Sequence, residues 1–144
     1  MLNVLHPTPL AARLLGFGGL LPFILAAVAA YAVDPALQEY FRKALVSYGA
    51  VILSFLGGVR WGVAMIGRDT TGLARPLLIS VVPALLGWWA ALMPSTAGAI
   101  MLAACFAVLL VADVRNHNMP AWYRMLRIPL SIGAIGSLLA GAAS

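Results

Sequence analysis

Five apolar stretches, each close to twenty residues long and separated by short polar connections, constrain this chain more than any other feature of its sequence. A bilayer's hydrocarbon core is about 30 Å thick, and a helix rising about 1.5 Å per residue crosses it in about 20 residues. Lipid offers no partner to backbone N–H and C=O groups, so each stretch must satisfy its own by forming a helix. The expected fold is therefore an all-α integral membrane bundle of about five transmembrane helices, one domain over residues 1–144, with spans near 14–33, 44–66, 76–93, 97–113 and 120–143. Composition agrees: 63% hydrophobic and only 9% charged residues cannot cover a globular surface in water, and the mean hydropathy is +1.00.

The punctuation between spans is proline-rich. Asp34-Pro35 ends the first segment and starts the second, with Asp as N-cap and Pro at the first helical position. A continuous helix from Pro35 to Gly67 would be roughly 50 Å long, so Ala36 to Lys43 should lie at or beyond the outer interface, with Glu39 and Lys43 as an i,i+4 pair. Pro94, Ser95 and Thr96 alone join the third and fourth segments, which makes an antiparallel hairpin with Ser95 or Thr96 as cap. Pro120 opens the fifth, and Pro22, Pro83 and Pro129 fall inside spans, where lipid-embedded helices tolerate them. Arg13, the following apolar run and Ala30 to Ala32 imitate a cleavable secretory signal, but the run is long for one.

A net charge of +5 would suggest nucleic acid in a soluble protein; here the basic residues fall in short links and read as topology signals. Arg13, Arg68, Arg75, Arg115, Arg124 and Arg127 fall on one side, against Arg42 and Lys43 on the other. The positive-inside rule then puts the N-terminus in the cytoplasm (or matrix) and the C-terminus in the periplasm.

Small residues recur every fourth position along the second segment, at Ala50, Ser54, Gly58 and Gly62, a pattern that lets a neighbouring backbone approach closely. The third segment has Ser80, Ala84, Gly87 and Ala91, and the fifth has Gly133, Ser137 and Gly141. These faces predict that helices two, three and five contact one another.

Arg60 is the one ionisable residue apparently within a span. An arginine at the membrane centre costs about 2.5 to 3.5 kcal/mol on insertion scales. Arg60 either binds a carboxylate, a lipid phosphate or an anionic substrate, or snorkels to the boundary as an anchor beside Trp61. Asp69 and Asp113 are its candidate partners at inner helix ends. Together Arg60, Arg68, Arg75, Arg115, Arg124 and Arg127 could form a basic pocket for an anionic headgroup such as cardiolipin. The four acidic residues all lie near helix ends, so a midplane proton relay is absent. His6, His117 and the single Cys105 lack the spacing of a metal or catalytic set, and no cofactor is implied.

The segments GFGGLLPF (Gly16 to Phe23), SYGAVILSFLGGVRWG (Ser47 to Gly62), SVVPALLGWWA (Ser80 to Ala90) and MPAWYRMLR (Met119 to Arg127), in that order, resemble the transmembrane protein 69-like family, a bacterial group of unknown function with mitochondrial relatives. The resemblance implies a small multi-span protein of the bacterial inner membrane and carries no catalytic residues with it. Two functions fit these features. The first is a structural, accessory or assembly component of a larger membrane complex, of which an energy-transducing one is a candidate, and not an enzyme. The second is a small transporter or anionic-lipid-binding protein with a site around Arg60. An open cavity at Arg60, in place of a packed interface, would favour the second.

Overall fold

The structure is a computed structural model and describes residues 8–66 and 70–144. Arg68 and Asp69, candidates for the basic pocket and for the partner of Arg60, and His6 lie outside the described residues. Five helices follow one another: α1 (Leu10–Ala32), α2 (Pro35–Met65), α3 (Ala74–Leu92), α4 (Ser95–Arg115) and α5 (Ala121–Ala143). All five are long and apolar enough to cross a membrane, and the chain is a multi-span membrane protein. One end of the bundle, here called the basic end, carries the α2–α3 and α4–α5 links; the opposite end carries the other two.

All the described helices but α3, which follows Leu73, start where proline pre-sets the backbone rather than where side chains cap it. Pro9, Pro94 and Pro120 occupy the positions before α1, α4 and α5, and Asp34 precedes Pro35 without a capping hydrogen bond from its side chain. The expected Ser95 or Thr96 cap is likewise not made. Ser95 is instead the first residue of α4, and its hydroxyl donates to Glu39 at 2.9 Å, tying the α3–α4 turn to the start of α2. Glu39 pairs with Arg42 at 3.8 Å rather than with Lys43. α1 and α4 also start earlier than expected, because Pro9 and Pro94 begin each helix before its apolar run does.

α2 is the hub and packs against all four other helices; α3 also leans on α4, and α5 on α4 and α1. The core gathers around Phe23, Leu45, Leu53, Leu102, Phe106 and Leu138, each almost wholly buried. Phe23 sits edge-on to both Tyr48 and Phe106, with ring centroids 4.8 and 5.9 Å apart, a geometry that matches ring edges to ring faces.

The α2–α3 seam corrects the small-residue expectation. Gly57 lies so close to α3 that an added Cβ would come within 2.6 Å of the Ser80 carbonyl, and one on Gly87 would come within 3.0 Å of the Ala50 carbonyl. Gly58 and Gly62 meet nothing within 4 Å, Ser54 returns its hydroxyl to the Ala50 carbonyl at 2.9 Å, and Ala84 is half-buried. The reason is rotational. At about 100° per residue, a step of four drifts about 40° round the helix, whereas a step of seven drifts only about 20°. Ala50 and Gly57 therefore share a face with their partners Gly87 and Ser80, while Gly62 has turned away. On α5, Gly141 faces Leu45 of α2, in keeping with the expected α2–α5 contact, whereas Gly133 faces Leu20 of α1 and not α3.

Candidate functional site: an arginine–aspartate cluster between two cavities

Asp113 is completely buried near the end of α4. A lone carboxylate there would be prohibitively unstable, and the fold supplies two cations. Arg60 of α2 donates from Nη1 to one carboxylate oxygen at 2.5 Å, and Arg127 of α5 donates from Nε to the other at 3.0 Å. The three residues come from three helices whose relevant turns all lie near the basic end. Two positive charges meet one negative charge, leaving the cluster net cationic.

Neighbouring residues extend it. Arg124 donates from Nη1 to the Val114 carbonyl at 3.2 Å, occupying one of the carbonyls that the last turn of α4 leaves without a helical partner. The α4–α5 link is braced by Asn118, whose backbone N–H donates to the Asn116 side chain at 3.1 Å. On α5, Tyr123, Arg127 and Ser131 recur every four residues. The Tyr123 hydroxyl, Arg127 Nη2 and the Ser131 hydroxyl are all buried without a hydrogen-bond partner.

A cavity opens on either side of the cluster. The first, of about 490 Å³, is the more polar of the two: Arg60, Arg75, Asn116 and Asn118 line it together with Val63, Ala64, Gly72 and the first turns of α3. The second, of about 520 Å³, is a largely apolar groove among α1, α2 and α5 into which Tyr123 and Arg127 face.

The expected site residues divide accordingly. Arg60, Arg124 and Arg127 are drawn together around the end of α4, Arg75 lines the same recess as Arg60, and Arg115 is exposed on the last turn of α4. Trp61 points outward. Of the two carboxylates proposed for Arg60, Asp113 holds it, while Asp69 lies outside the described residues. From the sequence, Arg127 reads as an inner-side charge of the basic pocket and not as a buried partner of Asp113, yet it is just 4% exposed. Its place about two turns inside an apolar helix, in register with Tyr123 and Ser131, was the available signal. Asn116, Asn118 and the groove carry no such signal, since they depend on which helices become neighbours.

The profile of the family described as "Protein of unknown function (DUF3429)" matches residues 8–143, thus all five helices and both cavities. The chain belongs to the DUF3429 family. Transmembrane protein 69 of Xenopus tropicalis is 36% identical over 145 residues, an alignment that takes in 96% of this chain and 56% of the relative. The chain thus spans little more than half the length of that relative. No solved structure matches it significantly.

Proposed function

We propose that this DUF3429 protein binds the headgroup of an anionic lipid in the arginine-lined recess at its basic end. The observation that carries this reading is that Arg60 and Arg75 line an open recess of about 490 Å³ beside Asn116 and Asn118. Asp113 does not neutralise Arg60 fully, because it is shared with Arg127. Guanidinium groups present paired N–H donors that match phosphate oxygens, and basic pockets between helices are where anionic headgroups seat. On the positive-inside rule this end faces the cytoplasm or matrix, with the N-terminus inside and the C-terminus outside. The resemblance noted above supports a bacterial inner membrane as its location. The reading assigns it no catalytic step.

A second reading, an accessory or assembly component of a membrane complex, is favoured by one observation. Gly58 and Gly62 lie on α2 with open space around them, which leaves room for a helix of another subunit to approach closely.

Native mass spectrometry of the full chain in detergent, dosed with cardiolipin, phosphatidylglycerol, phosphatidylcholine or inorganic phosphate, tests the first reading. The two anionic lipids should be retained over phosphatidylcholine. Arg75→Gln should reduce that retention roughly fivefold, the effect of about 1 kcal/mol per basic residue. Binding of inorganic phosphate alone would place an anion, not a lipid, in the recess. Equal retention of all three lipids, unaffected by Arg75→Gln, would remove the proposal.

A further inference from the structure

The groove among α1, α2 and α5 is separate from the recess of Arg60 and Arg75, although Asp113 joins the arginines that serve each. Its walls are apolar and aromatic, with Phe23, Phe55 and Trp122 among them. From Ala12 to Phe23 along α1 it runs about 16 Å at 1.5 Å per residue. That is close to one leaflet, half of a hydrocarbon core about 30 Å thick. Its volume of about 520 Å³ falls among those of sites that enclose small ligands.

Two polar groups stand out in this apolar wall. Arg127 is 4% exposed and spends Nε on Asp113, yet its Nη2 has no partner; the Tyr123 hydroxyl, one turn nearer the basic end, also has none. A buried donor left unmade costs about 1 to 3 kcal/mol, and more when it belongs to a charged group. Both donors belong to residues that line the groove, and both call for acceptor oxygens. The net positive charge of the cluster calls for those oxygens to be anionic.

We infer that the groove holds one hydrocarbon chain of an anionic single-headed amphiphile, whose carboxylate or phosphate oxygens accept hydrogen bonds from Arg127 Nη2 and the Tyr123 hydroxyl. The head sits at the level of Tyr123 and Arg127, and the chain runs past Leu126 and Leu130 towards Phe23. A free fatty acid and a phosphatidate share this chemistry. A zwitterionic lipid does not, because its cationic head would meet a cationic cluster.

Trp122 lies in the groove wall and supplies the readout. In a full-length chain carrying Trp61→Phe, Trp88→Phe and Trp89→Phe, all exposed positions, the remaining tryptophan is titrated in detergent with mid-chain dibrominated stearate. Parallel titrations use the dibrominated phosphatidate and the dibrominated phosphatidylcholine. Saturable quenching by stearate or phosphatidate is expected, and which of the two saturates at lower concentration identifies the source. Phosphatidylcholine should quench only in proportion to its amount. Tyr123→Phe should weaken the saturable phase roughly fivefold. Gly19→Leu, placed where an added Cβ meets only the Tyr48 hydroxyl at 3.8 Å, should fill the groove and weaken it at least tenfold. If that variant does not elute as a single species, Ile52→Phe narrows the groove from α2 for the same comparison. Arg75→Gln should leave the quenching unchanged, which separates this inference from the headgroup recess. Quenching that never saturates, or that the groove-filling variants leave intact, overturns it.

Discussion

Among the described residues, Asp113 is the carboxylate on which two guanidiniums depend, and it has no exposure of its own. Removing its charge strands both. Breaking a buried pair by deleting one partner costs about 3 to 5 kcal/mol, so Asp113→Asn should lower thermal stability in detergent sharply. Arg60→Gln should cost less, because Arg60 keeps some access to solvent while Arg127 has almost none. A thermal shift series over Asp113→Asn, Arg60→Gln and Arg127→Gln checks the order; equal, small shifts would show that the cluster does not support the fold. The sequence identifies Arg60 as costly within a span and offers Asp113 as a partner, because carboxylates are few. It does not show that Asp113 is shared, since which side of α5 faces α4 depends on packing that no local pattern encodes.

At the scale of helices, the α2–α3 seam separates two glycines that are adjacent in the chain. Gly57→Ala drives a methyl group into the Ser80 carbonyl and must push the helices apart, at a cost of about 1 to 3 kcal/mol. Gly58→Ala meets open space and should be neutral or slightly stabilising, because alanine favours a helix over glycine by about 1 kcal/mol. Reversible unfolding of the two variants in mixed micelles measures the contrast, and equal effects would rule out the seam described. The accessory reading has its own test on the same helix: Gly58→Leu should leave the isolated protein stable and abolish any co-purifying subunit. The presence of a small-residue contact between α2 and α3 is legible in the sequence, as are all five helices, because length and hydropathy are properties of single segments. Its register is not, because spacings of four and of seven both occur in SYGAVILSFLGGVRWG and only the partner helix selects between them.

For the whole molecule, five successive crossings would put the α2–α3 and α4–α5 links on one face of the bilayer and the α1–α2 and α3–α4 links on the other. In a Cys105→Ser background, single cysteines at Gly72 and Asn118 should react with a membrane-impermeant maleimide from the same side. Cysteines at Asp34 and Thr96 should react only from the other. Labelling of positions 72 and 118 from opposite faces would discard the five-span arrangement. The apolar exterior that makes this topology readable also hides function, because most surface residues are specified only by the need to face lipid. What distinguishes this bundle is confined to a few polar atoms near one end.

Those atoms are wired together. Asp113 gives one oxygen to the arginine of the open recess and the other to the arginine of the greasy groove, so an anion arriving beside either guanidinium competes for the same negative charge. By linkage, whatever free energy an anion in the recess adds to or takes from binding in the groove, binding in the groove must add to or take from the recess in equal measure. A ligand bound on one side of α4 would thereby be felt on the other through a single carboxylate, with no helix needing to shift.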